Sequence, residues 1–257
     1  MAKSTNGIID RLAHRRAMRR WEKVAQDAAT LRLPGLRRVR TRALQLRQLL
    51  DRVLFEADSR LTLPLIGSSA FQKPLYSDWG WRPQLWRGPI YPPGGAAVET
   101  KARFGDEVTL FHDCRVSELT VRQIRNTREE DLAPFGLRMD VFKFDGSFLS
   151  LVINLPESAV HGLKRKHLVR LNAVVETEKP LEIFARFNVR HGPNTEQIVR
   201  ELPLGADEIM VEFDLAYSKL NEKRVDSAWV DLIFEGPEMN QVILRDVTFS
   251  RRPRAEL

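Results

Sequence analysis

Two rhythms of apolar residues divide the chain. Between Arg11 and Ala57 they recur every three or four positions, and from Leu137 onward every second position. The first spacing marks one face of an α-helix and the second one face of a β-strand. In the helical part Ala13, Ala17, Trp21, Val24 and Ala28 form an apolar stripe. Opposite it run Arg11, Arg15, Arg19 and Lys23, with Arg16 and Arg20 alongside. Pro34-Gly35 is expected to stop this helix, since proline disfavours helix before it and glycine permits a turn. Leu36, Val39, Ala43, Leu46, Leu50, Val53 and Ala57 then alternate spacings of three and four, a heptad seam. A parallel homodimer on that seam sets Arg42 against a second copy's Arg47, which repels. The spacing therefore predicts a hairpin of helices 8–30 and 36–58 with Trp21 buried between them. A seam packed on the β domain, or on a second copy through residues 36–57, is the alternative.

The strand rhythm predicts a mainly β domain over residues 98–257. Leu137/Met139/Val141, Leu149/Leu151/Ile153/Leu155, Val169/Leu171/Ala173/Val175 and Ile183/Ala185/Phe187/Val189 alternate with polar residues. Ile209 to Tyr217, Val230/Leu232/Phe234 and a last run from about Gln241 to Ser250 continue the pattern, and 107–111 and 118–124 precede it. Turn residues fall between most of these, at 144–147, 178–180, 191–194 and 235–237. Many short strands with one apolar face each predict an antiparallel, jelly-roll-type β-sandwich behind a basic helical hairpin. The strongest local signal is a hairpin of 137–144 with 148–155 around Asp145-Gly146.

Between the two parts, residues 61–97 read as a connector. Leu61 to Pro93 holds six of the fourteen prolines and three of the five tryptophans, Trp79, Trp81 and Trp86. So much proline and glycine excludes regular helix. A flexible linker, however, would not carry such large rings. The segment is expected to cover the sandwich with its indoles buried and bonded. The sharper alternative is an aromatic platform that stacks on a sugar or a base.

Charge follows the same division. Residues 1–60 hold fifteen Lys/Arg against six Asp/Glu, whereas 61–257 hold 26 against 28. All excess positive charge is therefore in the arm, which implies a polyanion as one partner. Arg11, Arg15, Arg16, Arg19, Arg20, Lys23, Arg37, Arg38 and Arg40 are its candidate phosphate contacts, on nucleic acid or an anionic membrane surface. An acidic partner protein and a plainly solvated face are the other readings. No apolar run approaches the ~20 residues of a membrane span. The single cysteine, Cys114, allows no intrachain disulfide framework, so a cytoplasmic location, or the periphery of a membrane, is expected.

Ala185-Arg-Phe-Asn-Val-Arg-His-Gly-Pro-Asn194, Ala228-Trp-Val-Asp-Leu-Ile-Phe234 and Leu244 to Arg254 give the β domain a strand rhythm that resembles galactose-binding-like jelly rolls, over residues 98–252. The same runs resemble an uncharacterised bacterial family built on such a sandwich. The resemblance implies a non-catalytic fold that binds carbohydrate on a sheet face, and it carries no site residue with it.

Read residue by residue, one face is unusual. Arg170 and Asn172 on one strand, and Glu182, Phe184, Arg186, Asn188 and Arg190 on the next, would form a donor-rich grid if the two strands pair. Trp229 and Asp231 join it if their strand lies in the same sheet. The alternative is a solvated face of cross-strand Glu–Arg pairs.

Catalytic signatures are missing. The chain has no glycine-rich phosphate loop, no HExxH, no GxSxG and no cysteine pair for zinc. His112-Asp113-Cys114 gathers reactive types, but Asp113 points away from the other two on a strand. Asp140, Asp214 and Asp231 would serve acid–base work or Ca²⁺ only if strand pairing gathered them. The reading is a non-enzymatic binding protein without cofactor or metal, its sandwich holding a carbohydrate or similar polar ligand. Action on nucleic acid through the arm, and a structural role in a larger assembly, are the alternatives.

Overall fold

A computed structural model of the protein describes residues 8–66, 73–205 and 209–254. Residues 67–72 of the expected connector and 255–257 of the basic tail lie outside the described residues. The chain divides into two compact units, Met1–Leu54 and Phe55–Leu257.

The first unit contains α1 (Ile8–Asp27) and most of α2 (Leu33–Ile66). Pro34-Gly35 does not end a helix; it lies in the first turn of α2, where a proline's missing N–H has no intrahelical acceptor to lose. α2 then runs on to Ile66, so the connector's first residues are helical, contrary to the expectation from proline density. Half-buried positions include members of the two apolar stripes, Trp21 and Val24 on α1, Ala28 just after it, and Leu36, Val39, Ala43 and Leu46 on α2, whereas Ala13 and Ala17 are exposed. Farther along α2 the seam is open, and Leu50 and Val53 are exposed. No described helix is long and apolar enough to cross a membrane.

The second unit is a jelly-roll-type sandwich of two antiparallel sheets. Its strands are β1 (Trp79–Trp81), β2 (Gly94–Gly95), β3 (Ala102–Phe104), β4 (Val108–His112), β5 (Leu119–Arg125), β6 (Phe135–Val141) and β7 (Leu149–Asn154), followed by β8 (His167–Thr177), β9 (Glu182–His191), β10 (Asn194–Glu201), β11 (Ile209–Asp214), β12 (Val225–Glu235) and β13 (Asn240–Pro253). Short helices α3 (Gln84–Arg87) and α4 (Glu157–Val160) interrupt them. One sheet has the order β11-β8-β13-β6-β5-β2, with β1 also on β13, and the other the order β10-β9-β12-β7-β4-β3. The inward residues of the long strands other than the edge strand β10 make one core, with Phe187, Phe213, Phe234 and Phe249 fully buried.

Two expected pairings are absent because these connections cross between sheets. β6 and β7 are not a hairpin: β6 lies between β13 and β5, and β7 between β12 and β4. Gly146 serves close packing there instead of a tight turn, since a Cβ would come within 2.6 Å of Asp113 Oδ1. β8 and β9 are likewise in different sheets. The true two-residue hairpin is Gly192-Pro193 between β9 and β10, with Gly192 at φ +61° and His191 opposite Asn194.

Candidate functional site

On the outward face of the six-stranded sheet, strand register sets three rows of side chains. Phe111, Ser150, Ile233 and Phe184 form one, crossing β4, β7, β12 and β9. Thr109, Val152, Asp231 and Arg186 form the next. Asn154, Trp229, Asn188 and Gln197 form the third, ending on β10. A cleft of about 500 Å³ opens over the first two rows, reaching Trp229 in the third and Phe148 from the β6–β7 connection. From Ile233 to Trp229 the strand advances roughly 13 Å at about 3.3 Å per residue.

The middle of the cleft is polar and fixed. Arg186 Nε donates to Asp231 Oδ2 at 2.8 Å, and its Nη2 lies 2.7 Å from the same oxygen in an ion pair. Asn188 Nδ2 donates to the same oxygen at 3.1 Å and to the Arg186 carbonyl at 2.9 Å. Gln197 Nε2 in turn donates to Asn188 Oδ1 at 2.9 Å. Asp231 and Asn188 are buried, whereas the Arg186 side chain remains 38% exposed. The relay holds the carboxylate from below and leaves the guanidinium edge toward solvent. Ser150 Oγ, between Phe111 and Ile233, is buried without a hydrogen-bond partner among the described residues.

Of the expected grid, therefore, Arg186, Asn188, Trp229 and Asp231 come together, with Phe184 beside them. Glu182 and Arg190 sit exposed at the two ends of β9. Arg170 and Asn172 are on β8 of the other sheet, where Arg170 donates to Glu212 Oε1 at 2.8 and 3.0 Å and Asn172 stands opposite Met210 and Thr248. Alternation assigned their face correctly but not their sheet. Of the three tryptophans, the structure removes Trp86 from any platform. Trp86 is fully buried with its indole N–H on the Leu244 carbonyl at 2.9 Å. Trp79 and Trp81 stack at 6.4 Å on β1, half-buried, and Trp79 donates to Ser158 Oγ. Phe111, Phe148 and Ser150 complete the cleft beyond the expected grid, and of these Phe111 is legible in sequence as a large apolar residue on the polar side of its strand.

The other candidates are occupied structurally. His112 is buried, with Nε2 on the Val98 carbonyl at 2.9 Å and Nδ1 accepting the Cys114 N–H. Burial, with Asp145 and Asp113 nearby, pushes the Cys114 thiol up, away from a reactive thiolate. Asp140, Asp214 and Asp231 each face an arginine, Arg138, Arg254 and Arg186, and not one another. No cluster of three or more potential metal ligands occurs among the described residues. A second depression of about 500 Å³ lies on the seven-stranded sheet, but its Arg138–Asp140 pair is closed on itself and only the exposed Phe142 supplies a ring. In the arm all nine candidate cations are exposed and none has a side-chain partner among the described residues.

The model of a family of unknown function (DUF6478) matches residues 1–257. The chain belongs to that family. No curated protein matches this DUF6478 chain. Among solved structures it is similar to the family 11 carbohydrate-binding module of Clostridium thermocellum in complex with a beta-1,3-1,4-mixed-linked tetrasaccharide, at 10% identity and a TM-score of 0.40, over 64% of this chain and 98% of that one. A C-terminal family 22 carbohydrate-binding module from the same organism gives 7% identity and 0.38, over 66% and 97%. Tailspike protein 4 of Bacteriophage CBA120 gives 9% and 0.41, over 56% of this chain but only 19% of that one.

Proposed function

We propose that the protein is a non-catalytic binding module that holds a carbohydrate in the cleft of the six-stranded sheet. The observation that carries this reading is the placement of Trp229 and Phe111 on either side of the fixed Arg186–Asp231 pair. Sugar rings present apolar C–H faces and polar edges, and such a ligand needs flat apolar walls around a few oriented hydrogen-bonding groups. A span of roughly 13 Å along the strand suits a short oligosaccharide. Titration of the full chain with oligosaccharides that score on a glycan array is the test. Trp229→Ala and Phe111→Ala should each weaken binding about tenfold or more with the melting temperature little changed, and silence across a broad array would sink the proposal.

The arm supports a second contact, with a phosphate-bearing polyanion. Nine exposed cations without side-chain partners among the described residues are costly to hold together unless counterions or a polyanion neutralise them. Binding of the full chain to nucleic acid should fall steeply with salt; binding to anionic vesicles alone would reassign the contact to a membrane surface.

A further inference from the structure

We infer that the cleft selects uncharged glycans and that Asp231 is the residue that sets this selectivity. The inference rests on the carbohydrate reading above and adds the class of sugar.

Among the described residues lining the cleft only Arg186 and Asp231 are charged, and they neutralise each other. The pairing is not incidental surface contact. Asp231 is 4% exposed, and the single oxygen Oδ2 accepts from Arg186 Nε and Asn188 Nδ2 while Arg186 Nη2 lies 2.7 Å away. Gln197 fixes Asn188 from the strand beyond. An arginine beside a sugar site would otherwise be the natural fork for a uronate carboxylate. Here that fork is taken internally. A ligand carboxylate could reach the guanidinium only by displacing Asp231, which would strand a buried charge, or by lying close to it, which would set two anions together. Hydroxyls meet neither obstacle. They can accept from the exposed edge of Arg186 while the ring packs on Trp229 or Phe111.

The test is a glycan array of neutral and uronate-containing oligosaccharides, followed by titration of the full chain with the best neutral binder and its uronate counterpart. The wild-type protein should prefer the neutral member by about tenfold or more. Asp231→Asn keeps the shape and the acceptor but frees one positive charge. It should raise uronate affinity by roughly three- to tenfold at low salt, and the gain should shrink at high salt. Adding Arg186→Gln should abolish the gain. Wild-type preference for uronates, or a folded Asp231→Asn protein with no gain, would overturn the selectivity while leaving the cleft as a sugar site. Absence of binding to either class would overturn the carbohydrate reading and this inference with it.

Discussion

Arg82 and Asp246 clamp the tryptophan-rich segment to the last strand through two parallel hydrogen bonds, Nε to Oδ1 at 2.8 Å and Nη2 to Oδ2 at 2.7 Å. Arg82 is 2% exposed, so its charge has left water almost completely. Removing one member of a buried pair strands the other. Arg82→Ala or Asp246→Ala should therefore cost about 3–5 kcal/mol in urea unfolding. The double variant should cost clearly less than the sum of the two, since the second change removes a group that has already lost its partner in this pair. Additive losses would show that the two residues act separately.

Trp86 and Trp229 are the same residue put to opposite uses. Trp86 fills the core and donates to the Leu244 carbonyl, whereas Trp229 is half-buried on an outward face. Trp86→Ala should cost about 3–5 kcal/mol, the range for large aromatic truncation in a core. Trp229→Ala should cost no more than about 1 kcal/mol, and its effect should appear in glycan binding instead. Comparable unfolding losses in both would count against an open cleft.

Gly146 links a loop to the cleft. Asp113 Oδ1 accepts the Ser147 and Phe148 N–H groups, and Oδ2 accepts the Ser147 hydroxyl, which anchors Phe148 at the cleft rim. A Cβ at residue 146 would lie 2.6 Å from Asp113 Oδ1 and 3.0 Å from Cys114 Sγ. Gly146→Ala should therefore lower stability by about 1–3 kcal/mol, as overpacking does. Because Phe148 must shift, glycan affinity should fall with it; unchanged affinity would show that Phe148 does not contribute to the site.

How far these features could be read in advance depended on which physical rule fixed them. Alternation along Ile183–Val189 and Val230–Phe234 decides which side chains point inward, so Arg186, Asn188, Trp229 and Asp231 were legible as an outward set. Partner choice is a different matter. β8 and β9 have equally good alternation, and nothing in either states that their connection crosses to the other sheet. Arg170 was misplaced for that reason, and the expected β6–β7 hairpin failed on the same ambiguity. β10 carries no strand signal in the sequence because Asn194–Glu201 is a largely exposed edge strand with no apolar face. Its Gln197 completes the relay to Asp231, a contact that only register can disclose.

His167 gives the sandwich a built-in acid response. It is buried, its Nδ1 accepts the Lys164 N–H at 3.0 Å, and its Nε2 lies 3.7 Å from Asp78, which Arg251 already holds. Burial first, then the charges of Arg251, Lys166 and Lys164, hold its pKa below the ordinary 6.5, and Asp78 opposes them only in part. The folded protein thus binds fewer protons there than the unfolded chain. Its contribution is intact above pH 6.5 and is lost as pH falls from 6.5 toward the folded value. Glu107 works in the opposite direction, since burial raises its pKa and stability declines as pH rises above 4.5. Burial works against the Asp140 and Glu176 anions, but Arg138 and Arg245 outweigh it, so their contribution is intact above the ordinary 3.8 and 4.5 and is lost only as pH falls below those values. Comparing the wild type with His167→Asn, which keeps an acceptor for the Lys164 N–H, cancels these carboxylate terms. The variant should be less stable at pH 7.5, yet it should lose less stability than the wild type between pH 7 and 5 in urea titrations. Parallel pH profiles would show that His167 does not titrate on unfolding in that window.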